Sequence, residues 1–226
     1  MNITLPQALM LFVLNDQTGK TEAGYYQPAL AGAAIADLLM LETVELSSDS
    51  PALITPLRHQ FDLGAFLELC DKAIGAESKP QTLGFWINRL ASEPGFVTTL
   101  ADELVHLGAL SKEKTRIFGV FERTVWPEAS PLLESQLKSE LEAAMFAAEG
   151  PVDERVGMVI ALCAAADVLQ HNFDAGLLAQ NADRIAAISA GELLAKDTSE
   201  KVIKCVNYAI RAATEMAEIT AASIIN

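Results

Sequence analysis

The strongest constraint on how this 226-residue chain folds is the way its apolar residues are spread along it. They make up 51% of the sequence, yet no run of them is long enough to cross a bilayer. The stretch from Gly157 to Ala166 stops at Asp167, whereas a spanning helix needs about 20 consecutive apolar residues. The run from Ala8 to Leu14 is shorter and has no Lys or Arg before it, so a secretory signal is not expected. Apolar residues in this amount, recurring at helical spacing, must fold inward and bury one another. The composition excludes a disordered chain.

The periodicity and the turn residues predict a mainly helical order. Thr4 to Gln7 forms a capping box, with Pro6 in the first turn and apolar positions from Leu9 to Leu14. Asn15 to Gly24 is a polar turn, and Pro28 opens a helix through Leu41. Thr43–Leu46 and Ala52–Thr55 flank a Ser/Asp/Pro turn and predict a hairpin. Leu63 to Ile74 is amphipathic and stops at Gly75; Pro80 and Thr82 begin a further helix through Leu90. Val97 to Leu107 repeats at helical spacing, with Gly108 as its stop. Ala109-Leu110 and Arg116 to Phe121 then predict short extended pieces, a wing-like ribbon ending at Trp126-Pro127. From Pro131 onward the pattern is helical: Leu132–Ala148, Val152–Gln170 and Thr198–Ile219. The absence of repeats and low-complexity linkers predicts one domain over 1–226.

Charge narrows the function. Lys and Arg number 16 against 30 Asp and Glu, giving −14 and a pI near 4.6. Phosphate neutralisation needs clustered cations, so nucleic acid is not an expected partner. The helix in the recognition position of the wing-like unit carries Asp102 and Glu103 and no Lys or Arg. Such a helix repels phosphate and cannot make the common two-point contact to guanine. Cys70, Cys163 and Cys205 form no C-x-x-C pair and read as free thiols of a reducing cytoplasm. His59, His106 and His171 are isolated, so neither a metal nor another cofactor is expected. Acid pairs such as Asp102-Glu103 and Asp153-Glu154 read as solvated or dipole-complementing groups, and Asp167 as a cap or partner of a neighbouring helix. No phosphate-binding glycine loop or nucleophile elbow is present, and no catalytic residue is assigned.

The ribbon is the candidate contact site. Lys112, Lys114, Arg116 and Arg123 stand there against Glu113 and Glu122, interleaved with Phe118, Val120, Phe121, Val125 and Trp126. One reading buries an apolar face of the ribbon against the body. The other exposes it, so that aromatic residues and neighbouring cations meet a lipid interface or a partner.

Several segments, read in order, resemble the Golgi phosphoprotein 3 family. Ile3-Thr4-Leu5-Pro6 with Leu9, Leu11, Leu14, Asp16 and Gly19 is similar to its first helix and turn, and Ala29-Leu30-Ala31-Gly32 to its second. Phe85-Trp86-Ile87 resembles the "NWI" region, and Leu100 to Gly108 the "LxxxLVxxG" helix. Phe121 to Glu128 resembles the "FxxTxWPE" segment, and Ala164 to Leu169 with Phe173 resembles "AxxSDVLxxxF". The resemblance runs collinearly from about Leu5 to Ile210, and the short form is similar to prokaryotic-type members.

This resemblance implies a helical domain around a central apolar helix, here Val156 to Gln170, and a non-catalytic adaptor role at a membrane. It implies that an apolar hairpin, here about Arg116 to Trp126, serves membrane contact or self-association through Phe118, Val120, Phe121, Arg123, Val125 and Trp126. The family ligand is phosphatidylinositol 4-phosphate, held by a Trp and three Arg. This chain has Ala31 at the "GLRG" turn and no basic residue in 94–99. A phosphomonoester needs several charge-assisted donors, so that ligand is not expected and no headgroup residue is assigned. The expected protein is therefore cytoplasmic or peripherally bound to membrane, with lipid, another protein or a second copy as partner. The alternatives are a soluble protein–protein interaction domain without lipid binding, and an enzyme with an unrecognised site.

Overall fold

A computed structural model describes residues 3–21, 26–47, 51–58, 62–117 and 121–194. The predicted helix Thr198–Ile219, together with Cys205, lies outside the described residues, as do His59, Phe118 and Val120. The class is mainly α with short antiparallel strand pairs, as expected.

Helix α1 (Leu5–Val13) starts where the capping box predicts. Thr4 accepts from the Gln7 backbone N–H, and the Gln7 side chain accepts in return from Thr4 N–H at 2.9 Å. Every residue of α1 is buried, because α2 (Tyr26–Met40), α5 (Phe96–His106), α6 (Leu132–Met145) and α7 (Glu154–Ala165) all pack on it. The predicted central helix therefore shares the centre with α1. It is also shorter than Val156–Gln170, since α7 ends at Ala165. Asp167 takes φ +57°, and the N–H groups of Asp167 and Val168 return to the carbonyls of Ala164 and Cys163. That left-handed turn satisfies the last carbonyls of α7, and the Asp167 carboxylate accepts from Gln170. Asp167 thus terminates its own helix and, through Gln170, pairs with the helix α8 (Leu169–Asn172) that follows, in line with its expected role as a cap or partner.

Strands β1 (Val44–Leu46) and β2 (Leu53–Pro56) form the predicted hairpin, and β3 (Gln81–Thr82) adds to β2. Helices α3 (Ala65–Gly75) and α4 (Leu83–Ala91) follow the predicted periods, with Thr82 as the N-cap of α4. The helix expected over Val152–Gln170 is broken into α7 and α8, and α9 (Ala175–Gln180) and α10 (Ala182–Ser189) follow it. Cys70 and Cys163 are buried free thiols, and burial pushes both above the ordinary thiol range.

The ribbon consists of β4 (Glu113–Ile117) and β5 (Phe121–Val125), paired antiparallel from Glu113↔Val125 to Ile117↔Phe121. Its extended part begins at Glu113, ahead of the predicted Arg116. Among the described residues it forms a two-stranded sheet by itself. Its base is clamped by the turn after α1: Trp126 N–H donates to the Gly19 carbonyl at 3.1 Å, and Glu128 N–H to that of Asp16 at 2.9 Å. Gly19 has φ +59°, and a Cβ there would lie 2.3 Å from backbone atoms of Trp126 and Pro127. Gly108 shares the left-handed conformation at φ +74° but has open space around it. Gly19→Ala is therefore expected to cost roughly 3 kcal/mol in a urea melt, combining overpacking with left-handed strain. Gly108→Ala should cost only about 1 kcal/mol, since strain alone acts there. Equal losses at the two positions would refute the clamp.

Candidate functional site

The ribbon divides into a fixed base and an outer part. Val125 and Trp126 are only 5% and 9% exposed, packed into the body at the base. The expectation that they belong to the contacting surface is corrected on that point: both are buried, and Trp126 belongs to the hydrophobic core. Arg123 is exposed on β5. The Phe121 backbone closes the last described rung with Ile117, whereas Phe118 and Val120 lie outside the described residues. Lys112 pairs with Asp102 at 2.7 Å and Lys114 with Glu122 at 3.2 Å. These pairs are exposed and contribute little to stability. Arg116 and Arg123 are exposed and make no ion pair with any described residue.

A second location is set by the stretch 94–99. It lies at the start of α5, beside a hollow of about 380 Å³ lined by Gln27, Ser92, Glu93, Gly95 and Thr98 among others. The lining contains no cation, and its one carboxylate, Glu93, is held by Arg89. A phosphorylated headgroup placed there would meet an anion where it needs several donors.

The third location was not visible in the sequence. An open cavity of about 810 Å³ lies where the N-terminal ends of α1, α3 and α7 meet the C-terminal ends of α2 and α5. Asp37 of α2 is buried in its wall and accepts from Leu5 N–H at 2.7 Å. Arg155 of α7 lies beside it, Nη1 at 3.8 Å from Asp37 Oδ1, and donates through Nη2 to the Ile3 carbonyl. Glu103 of α5 accepts from Phe66 N–H and from the Gln7 amide, both at 2.8 Å, so it caps α3 and ties α1 to α5. Glu103 is thus dipole-complementing as expected, but for a helix distant in sequence. His106 and the exposed Leu41 and Leu107 form the rim. Among the described residues no cluster of His, Cys, Asp and Glu could hold a metal ion.

The architecture is that of a helical domain carrying a self-paired ribbon, and none of its described helices is long and apolar enough to cross a membrane. The family model for Golgi phosphoprotein 3 (GPP34) matches residues 5–206, and the chain belongs to that family. No curated protein matches it.

A buried carboxyl, Asp37, and a half-buried one, Glu134, give the fold a measurable response to pH. Burial pushes Asp37 up to about 6 against the opposing pull of Arg155 and the Leu5 hydrogen bond. Burial, with the charges of Asp16 and Glu128, pushes Glu134 up to about 7 against the pull of Lys138. A raised carboxyl favours the fold while protonated, so this contribution is full below the unfolded-chain values near pH 4. It is lost as pH rises through 6 to 7. For Asp37 it amounts to about 1 kcal/mol between pH 7.5 and pH 5. Urea melts at these two pH values should show a smaller pH-dependent gain in Asp37→Asn and Glu134→Gln than in the parent protein. An unchanged slope in both variants would count against the buried-carboxyl account.

Proposed function

We propose that this member of the Golgi phosphoprotein 3 family is a non-catalytic adaptor that uses the outer part of the β4–β5 ribbon for peripheral membrane contact or self-association. The observation that carries the reading is a ribbon paired only with itself among the described residues and anchored through Val125 and Trp126. Beyond that anchor the sequence offers Phe118, Val120 and Phe121 beside Arg116 and Arg123, which make no ion pair with any described residue. Aromatic and aliphatic side chains next to cations suit the boundary between hydrocarbon and headgroups. Each cation near an anionic surface adds about 1 kcal/mol of attraction. The hollow beside 94–99 argues against phosphatidylinositol 4-phosphate as the ligand, so contact would depend on charge and apolar insertion and not on one headgroup. A cytoplasmic location, peripheral to membrane, fits this role. A protein–protein interaction domain without lipid binding is the second reading, favoured by the burial of Val125 and Trp126, which removes two of the six ribbon residues from any apolar contact surface.

Co-sedimentation with phosphatidylcholine vesicles containing phosphatidylglycerol, paired with light scattering for oligomeric state, tests the proposal. Phe118→Asp with Phe121→Asp should lower the vesicle-bound fraction at least fivefold, or dissociate an oligomer, without moving the melting temperature. Higher salt should weaken vesicle binding of the parent protein. If the double variant matches the parent in both assays, the ribbon is not the contact site.

A further inference from the structure

The cavity between α1, α2, α3, α5 and α7 has a polarity that selects a ligand class. Both carboxylates in its wall are committed. Asp37 faces Leu5 N–H and Arg155, and Glu103 faces Phe66 N–H and the Gln7 amide. Each lies in the last turn of its own helix but faces the N-terminus of another, Asp37 that of α1 and Glu103 that of α3, whose positive dipole end favours a carboxylate. Arg155 has donors to spare. Nη1 lies 3.8 Å from Asp37 Oδ1, beyond hydrogen-bond distance, and the side chain is 26% exposed. A guanidinium offers five donors in a planar fork that matches a carboxylate. The remaining wall is largely apolar, with Ile3, Met40 and Leu67 leading to Leu41 and Leu107 at the mouth, which are 42% and 55% exposed.

We infer that this cavity binds an anionic amphiphile with a single alkyl chain, its carboxylate on Arg155 and its chain running along Met40 and Leu67 to the Leu41–Leu107 mouth. The size falls within the range of roughly 300–1,000 Å³ typical of small-molecule sites, and the mixture of an apolar wall with one available charge is typical as well. The inference does not depend on the ribbon, which belongs to other residues.

Calorimetric titration of the full chain with decanoate below its micellar concentration tests it, with decyltrimethylammonium as the charge-reversed probe. Decanoate should bind saturably, once per chain, and decyltrimethylammonium at least tenfold more weakly. Arg155→Gln should weaken decanoate binding at least tenfold. Because Arg155 also supports Ile3 and Asp37, Leu107→Glu provides a second test at an exposed position. It should weaken binding at least fivefold with an unchanged melt. Absence of saturable decanoate binding, equal affinity for both probes, or parent-like affinity in both variants would overturn the assignment. A free fatty acid has this chemistry, whereas a diacyl phospholipid carries two chains and a phosphate. After incubation with phosphatidic acid vesicles the vesicle-free protein should therefore carry no lipid, and recovery of phosphatidic acid with it would overturn the single-chain carboxylate assignment.

Discussion

Burying α1 on every side removes water from the N–H groups of its first turn, and much of the surrounding structure answers that one need. A helix leaves four such groups without internal partners, and an unmet buried donor costs about 1–3 kcal/mol. Thr4 takes the N–H of Gln7, and Asp37 reaches across from α2 to take that of Leu5. The second bond requires a carboxylate inside the core, which needs a countercharge, and Arg155 comes from α7 to supply it. Gln7 accepts from the Thr4 N–H and offers its own amide to Glu103, whose other oxygen caps α3. Satisfying one helix end thereby links α1 to α2, α3, α5 and α7. The cavity is the space left where those ends cannot pack closer.

This chain of dependence explains which parts of the fold were legible in the sequence. The capping box, the first hairpin and the helix ending before Gly108 are local: their partners lie within a few residues, so pattern alone finds them. The pairing of Asp37 with Leu5 and Arg155 is not local. In sequence Asp37 is one acid in an alanine-rich helix, and nothing near it marks burial. The end of α7 at Ala165 was also hidden, because its left-handed turn is made by Asp167 where glycine would have been the readable signal. The alternation of apolar and polar residues up to Val125 leaves open whether that face is buried or exposed. The backbone tie from Trp126 to Gly19, more than 100 residues earlier, has no local signal.

The charge of −14 is likewise informative only once it has been placed in space. Acids at helix starts are structural: Asp153 caps α7, Asp174 caps α9 and Glu103 caps α3. Others crowd the ribbon's base, where Asp16, Glu128 and Glu134 stand close enough to raise the affinity of Glu134 for a proton. Arg116 and Arg123 on the ribbon make no ion pair with any described residue, and neither do Lys20, Arg58, Lys79 and Lys138 elsewhere. In the proposed function the two on the ribbon would supply attraction to an anionic surface. Screening over about 8 Å at physiological salt limits that attraction to charges brought close to the surface.

The cavity at Arg155 and the hollow beside 94–99 differ in the physics they offer a ligand. The hollow beside 94–99 is polar and lacks cations, so it can discriminate only through neutral hydrogen bonds, each contributing about 1 kcal/mol against water. The cavity at Arg155 combines apolar area with a guanidinium whose side chain is 26% exposed, so part of the cost of drying that charge has been met before any ligand arrives. The same burial that forced Asp37 and Arg155 together leaves Arg155 with unused donors, because one carboxylate at 3.8 Å, itself occupied by Leu5, cannot satisfy five N–H groups. A demand created at the start of α1 thus ends as a capacity at the start of α7. That capacity lies apart from the position where the family resemblance places its headgroup site.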